Sequence, residues 1–316
     1  MKVKILISPL ARGAYFDEFE AVAQQEFAAC FTDGAEPQFL ESIGGLSLIS
    51  ADIEERALPS IARLSFVQGI FEVDDGNGLH PLKVETGLRF PAHLVHGWKY
   101  QGKTNEMVTQ MAINIALKYC NTGRVPQTLL DPMAGKGTTL LWGLRYGLGG
   151  VGIEQDTSAI SALEAHLKKQ TKLHRLKHSI AKGSVGPKHK GGKGKFLSCT
   201  MEDVSLRLVA GDSLEAPTLL GAQRFDMIVT DLPYGVQFKG GPKRSPLDTV
   251  KGCARGWMDS LRGGGAMVII YNTYQPSRHQ LAAAFSSLPC QLHDFSAPHR
   301  MSESIVRDFL VITRNE

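Results

Sequence analysis

The sequence predicts an α/β fold in which helices cover both faces of a mainly parallel sheet, with a smaller α+β unit ahead of it. Two observations carry that prediction. From residue 127 onward, short apolar runs alternate with helix-length stretches, the strand–loop–helix rhythm of a parallel sheet. The runs over 128–130 and 225–229 lead straight into loops of unusual composition, DPMAGKGTT (131–139) and TDLPYG (230–235). Sheets of this kind bind ligands beyond the carboxyl ends of their strands, which is where both loops fall.

With 316 residues the chain has room for one large domain and a smaller one. Residues 1–88 form the small unit. Strands are expected there over 3–8, 45–50 and 67–73, helices over 16–27 and 52–63, and a turn at Asp74-Asp75-Gly76-Asn77-Gly78. No catalytic cluster stands out, so this unit is expected to be structural or to help dock a substrate. Residues 89–316 form the large domain. Met107, Met111, Ile115 and Tyr119 recur every fourth residue, predicting a helix over 105–119 with Thr104 or Asn105 capping its start. A strand over 129–131 follows, then a helix over 138–146 stopped by Gly147, then a strand over 150–155 leading into a long helix near Asp156. Further strands are expected over 206–211, 225–230, 264–271 and 308–313. His93, His96 and Trp98, just before this core, read as linker or packing residues.

The hydrophobic share of 43% and charged share of 21% are those of an ordinary globular protein. A net charge of +4 permits a polyanionic partner without requiring one. The charge is unevenly spread: residues 172–195 hold eight Lys or Arg, three His and no acid, with Lys168 and Lys169 just before them. Gly183, Gly186, Pro187, Gly191 and Gly192 predict that the latter half of this basic insertion is a flexible loop. The five cysteines lack the spacing of a metal site or disulfide framework, so reduced thiols and no metal are expected. Pro9 and Arg12 cut the first apolar run short of a signal-peptide core, and no run approaches the roughly 20 apolar residues that span a bilayer. A soluble, cytoplasmic protein is the expectation.

The first loop suits a nucleotide-like cofactor. Gly135 and Gly137 let backbone approach a ligand without a Cβ, and the helix that follows presents unpaired N–H groups suited to the carboxylate of S-adenosylmethionine. A phosphate-binding P-loop is the competing reading of Gly135-Lys136. It fails because Lys136 is followed by Gly137 rather than Ser or Thr, and because position 130 is Leu. Glu154 ends the next strand, 23 residues after Asp131, where a carboxylate can grip both ribose hydroxyls. Asp212 ends the strand after that and can accept from an adenine amino group.

The second loop holds Asp231, Pro233 and Tyr234 together. The lone pair of a nucleobase exocyclic amine is delocalised into the ring. A carboxylate and a carbonyl accepting its two N–H bonds would turn the nitrogen toward tetrahedral geometry and aim that lone pair at a methyl sulfonium. Proline fixes the backbone that aims the carbonyl. Tyr234 can stack on the extruded base, a contact worth about 1–3 kcal/mol.

In order, DPMAGKGT, GIEQD, AGDS and TDLPYG resemble the class I amino-methyltransferases that act on nucleic acids. Among these the chain is most similar to the tRNA guanine-N2 methyltransferases and their RNA-methylase relatives, over about 99–314, with a further likeness at 44–73. The resemblance implies a Rossmann-like seven-stranded methyltransferase sheet, S-adenosylmethionine as cofactor, and RNA, tRNA foremost, as partner. It assigns cofactor contacts to Asp131, Gly135, Gly137, Glu154, Asp212 and Ser213, with Met133, Thr138, Gln155 and Asp231 beside them. Through GKTNE (102–106) it adds Lys103 and Thr104 at the methionine end. Asp231, Pro233 and Tyr234 take the catalytic places. Phe238 would back the flipped base while Lys239, Lys243 and Arg244 meet phosphates. Three departures stand out. Lys136 occupies a place where a small residue is usual. Leu232 replaces the commoner first proline, which leans away from DNA methylases. The amino-terminal unit is short for a ferredoxin-like unit plus a complete THUMP domain.

Two other functions fit parts of the pattern: a DNA amino-methyltransferase, for which no separable target-recognition domain is visible, and a catalytically silent methyltransferase-like scaffold that binds RNA. A protein-glutamine methyltransferase usually carries Asn where Asp231 stands.

Overall fold

The computed structural model describes residues 1–31, 39–100, 103–185, 194–233 and 245–316. At the amino end, β1 (Lys2–Ile7), β2 (Phe39–Ile43), β3 (Leu46–Asp52), β4 (Val67–Val73) and β5 (Leu79–Pro81) pair antiparallel in the order β2-β3-β1-β4-β5. Three helices accompany them: α1 (Leu10–Tyr15), α2 (Phe19–Cys30) and α3 (Leu58–Ile61). Two expectations need correction. The helix over 16–27 begins earlier and is interrupted, because Phe16 takes φ +49° and a 3-10 turn separates α1 from α2. The helix over 52–63 shrinks to α3, since β3 runs on to Asp52 and Pro59 sits at the helix start, where its missing N–H is tolerated.

The rest of the chain supplies α4 (His93–His96), α5 (Glu106–Tyr119), β6 (Thr128–Asp131), α6 (Thr138–Tyr146), β7 (Gly149–Glu154), α7 (Ser158–Leu173), β8 (His178–Ser184), β9 (Lys195–Met201), β10 (Val204–Ala210), α8 (Ala216–Leu220), β11 (Phe225–Asp231), α9 (Pro246–Ser260), β12 (Leu261–Asn272), α10 (Arg278–Ala283), β13 (Cys290–His293), β14 (His299–Ser302) and β15 (Ile305–Arg314). They build a ten-stranded sheet in the order β13-β15-β12-β11-β6-β7-β10-β9-β8, with β14 beside β15. Strands β10, β7, β6, β11 and β12 are mutually parallel, and β15 runs antiparallel to β12. From β13 to β10 these seven strands make a Rossmann-like sheet, the strand number that the family resemblance implies.

Alternation along these strands divides the interior in two. Leu129, Met227, Val229, Val268, Ile270, Phe309 and Val311 join one core, while Leu130, Ile228, Met267, Ile269, Leu310 and Ile312 join the other. Both faces are covered, so neighbouring residues are apolar alike. The first core also takes in Val3, Ile5, Phe27, Ile49 and Ile70 of the amino-terminal unit, through Met111 and Ile115 of α5. In the basic insertion the first residues finish α7, and β8 pairs antiparallel with β9, which pairs with β10, so the described part is a hairpin widening the sheet, two strands that the sequence did not predict. The loop expected in its latter half falls mostly on residues 186–193, which lie outside the described residues. No described helix is long and apolar enough to cross a membrane.

One buried carboxyl lies where α2 meets α5. Glu26 is fully buried and accepts from Ser65 N at 3.0 Å and Asn114 Nδ2 at 2.8 Å, with the Ser65 hydroxyl as a further donor. Tyr146 extends the chain by donating to Asn114 Oδ1 at 2.6 Å. Burial raises the Glu26 carboxyl from 4.5 to about 7, against the pull of Ser65 and Asn114. The folded state therefore holds this proton more tightly than the unfolded chain does. Its stabilising contribution is complete below the ordinary value and is lost as pH climbs through about 7. Glu26→Gln removes the titration. In urea unfolding at about pH 5 and about pH 8, the stability lost between the two should shrink by roughly 3 kcal/mol relative to the parent.

Candidate active site

The parallel register sets four acids side by side at the carboxyl edge of the large sheet. Asp131 ends β6, Glu154 ends β7, Asp231 ends β11, and Asp212 follows β10. Asp131 pairs across to Gly152, and Ala210 pairs with Glu154. The turn after β6 is bound to β7 by Ala134 N donating to Ile153 O at 2.9 Å and Gly135 N donating to the Glu154 carboxylate at 2.8 Å. Two glycine requirements make that turn. Gly137 caps α6 at φ +93°, a left-handed conformation that side chains avoid. Gly152 lets the turn approach, since a Cβ there would lie 2.7 Å from the Ala134 Cβ.

The acids play different parts. Asp131 is buried beneath the turn and accepts from Met133 N at 3.1 Å. Burial pushes its carboxyl up to about 7, while Thr139 and Met133 pull it down. In this position it shapes the loop from below. Glu154 is half-buried, with burial raising its carboxyl, and its second oxygen accepts from Asp156 N at 2.8 Å. Asp212 caps a 3-10 turn by accepting from Leu214 N at 3.0 Å. Asp231 accepts from the Thr104 hydroxyl at 2.6 Å and faces the Arg307 guanidinium at 3.3 Å, with both charged side chains largely buried.

The other expected site residues have partners within the chain. Lys103 is held by Val95 O at 2.8 Å, Trp98 O at 2.7 Å and the Glu106 carboxylate, so it ties down the segment before α5. Thr104 serves Asp231 because Asn105 is the residue that caps α5. Ser213 is buried, its hydroxyl accepting from Trp257 Nε1 at 3.0 Å. The buried Thr138 hydroxyl pairs with Tyr100 Oη at 2.9 Å. Met133 is half-buried, Gln155 exposed, and Pro233 half-buried. Tyr234, Phe238, Lys239, Lys243 and Arg244 lie outside the described residues. Trp98 stacks on His166 at 4.2 Å and His96 meets Trp142 edge-on, so the segment before α5 packs on α6 and α7.

Two residues were not singled out from the sequence. Arg307 lies in an otherwise apolar strand, where Arg307-Asp308 is the visible irregularity. Burial raises the Tyr100 phenol to about 12, with smaller pushes from Glu106, Asp131 and Glu154, against its hydrogen bond with Thr138. The Lys136 ammonium sits 4.7 Å over the Tyr100 ring. Among the described residues no group of three or more His, Cys, Asp or Glu is placed to hold a metal.

No family model matches the chain, and no curated protein does. Among solved structures, the chain is similar to TrmN from Thermus thermophilus, at 13% identity and a TM-score of 0.46, over 86% of this chain but 57% of that one. It is similar to an rRNA methylase from Streptococcus thermophilus, at 9% identity and 0.41, over 66% of this chain and 96% of that one. A ribosomal protein L11 methylase from Lactobacillus delbrueckii subsp. bulgaricus matches at 12% identity and 0.40, over 66% and 78% of the two chains. The functional reading rests on the geometry of the site and on none of these likenesses.

Removing the Arg307 charge leaves the Asp231 carboxylate without this neighbour in a largely buried setting. Arg307→Met should lower the unfolding free energy by about 3 kcal/mol, and Arg307→Lys by less, as read from denaturant midpoints.

Proposed function

We propose that this protein transfers a methyl group from S-adenosylmethionine to an exocyclic amine of a nucleobase in RNA, guanine N2 of a tRNA foremost. What carries the reading is the convergence of Glu154, Asp212 and Asp231 at adjacent strand tips around the glycine turn that Asp131 supports. The residues fit such a cofactor. Gly135 is exposed, and a Cβ there would meet nothing within 4 Å, so open space lies beside the turn. Glu154 spends one hydrogen bond of each oxygen on Gly135 and Asp156, which leaves acceptor capacity for a ribose. Lys136 lies against Tyr100, which accounts for a large cation at a position where the family resemblance implies a small residue.

When bound, the cofactor supplies an electrophilic methyl on a sulfonium. The chain's own part is to hold the acceptor. Asp231, oriented by Thr104 and Arg307, would take one amine N–H, the Pro233 carbonyl the other, and Tyr234 would stack on the base. Positioning of this kind supplies rate without a metal. An interior setting that presents an already oriented acceptor adds electrostatic stabilisation as positive charge develops on the nitrogen.

Two measurements on one variant test the proposal. Asp231→Ala should cut methyl transfer into RNA by about 10²–10³ while the heat of S-adenosylmethionine binding persists. Turnover within threefold of the parent would remove Asp231 from catalysis. A parent giving no heat with millimolar cofactor would favour the silent scaffold, and transfer into duplex DNA rather than RNA would favour a DNA enzyme.

A further inference from the structure

The basic charge of residues 172–195 suits phosphate contacts, and the hairpin places part of it relative to the strand tips. Strand β9 runs antiparallel to β10, so Phe196 pairs with Val209 and Met201 with Val204. Ser184 pairs with Lys195 on the other arm. Both arms therefore reach their outer end at the carboxyl edge of the parallel strands, beside Ala210 and two residues from Asp212. A groove of about 560 Å³ runs between this end of the hairpin and the first turns of α7, lined by Thr157, Ile160, Ser161, Lys182, Lys195 and Ala210. Its rim is cationic, with Lys182 and Lys195 both exposed. Lys168, Lys169, Lys172, Arg175, Lys177 and His178 continue an exposed basic surface along the end of α7 and the start of β8. Glu164, on α7, holds Lys168 at 2.8 Å and Lys182 at 2.5 Å, which ties the hairpin to the helix and orders two of these cations.

We propose that this groove and its basic rim bind the phosphodiester backbone of the RNA substrate, alongside the strand tips that take the target base. The inference rests on the reading of the site as an RNA methyltransferase. A row of cations that outnumbers its one paired acid, Glu164, suits a continuous polyanion, and the Thr157 and Ser161 hydroxyls at the groove suit phosphate oxygens. The position suits that partner: Ala210, which lines the groove, pairs with Glu154 and stands two residues before Asp212, so one molecule can occupy groove and site together.

The test titrates the double variant Lys182→Gln/Lys195→Gln with a fluorescently labelled, in vitro transcribed transfer RNA over a series of salt concentrations. Affinity at low salt should fall about tenfold, and the slope of log affinity against log salt should become shallower by about 1 to 2, the loss of two phosphate contacts. The heat of S-adenosylmethionine binding should be unchanged. Lys172→Gln/Lys177→Gln, at exposed positions away from the groove, should flatten the slope in the same direction without touching the hairpin's packing. Unchanged affinity and slope in both variants of a parent that methylates RNA would overturn this assignment alone. A parent that binds cofactor but neither binds nor methylates the RNA would overturn the functional reading and the groove with it.

Discussion

The arrangement of the large sheet depends on a carboxylate at the end away from the candidate site. Asp226 is fully buried at the start of β11. It accepts from the Arg124 guanidinium at 2.9 and 3.0 Å, from Gln127 N and Thr128 N at 3.0 Å each, and from the Thr128 hydroxyl at 2.7 Å. Burial would raise its carboxyl, but these donors outweigh that and hold it below the ordinary value. The consequence is geometric. Asp226 and Thr128 start two adjoining parallel strands, and clamping them together fixes the register in which Met227 meets Leu129 and Ile228 meets Leu130. At the far end of those same strands stand Asp231 and Asp131. A slip of one residue would turn every side chain to the opposite face and take both acids with it.

At the carboxyl edge, two neighbouring acids are kept from competing by their surroundings. Asp131 is buried under the turn and pushed toward the neutral form, whereas Asp231 has a guanidinium and a hydroxyl beside it. One acid serves the fold and the other faces the proposed reaction. The division reaches back to the segment before α5, where Asn105 takes over the helix cap and so leaves the Thr104 hydroxyl for Asp231.

Much of this could be read from the residues. Short continuous apolar runs, several ending in glycine, acid or proline loops, located β6, β7, β10, β11, β12 and β15, because strands buried on both faces leave that record. Short or polar edge strands leave none: β13 and the arms of the β8–β9 hairpin have little continuous apolar character, and glycines within the insertion suggested a loop instead. Side-chain direction was equally hidden. The family resemblance named Lys103 and Ser213 as cofactor contacts but could not show that Lys103 is held by the Val95 and Trp98 carbonyls or that Ser213 turns inward to Trp257. Arg307 is nearly 80 residues from Asp231 in the chain, and only the pairing of β12 with β15 brings them together.

The core that runs unbroken from Val3 and Phe27 through Met111 to Leu129 and Val229 has a mechanical meaning. Burial on that scale, on the order of 25 cal/mol for each Å² of apolar surface, leaves no seam at which the amino-terminal unit could swing. A macromolecule touching both that unit and the strand tips meets a caliper set at one opening. It must bring the matching span itself, so its own shape decides which of its parts arrives over the acids.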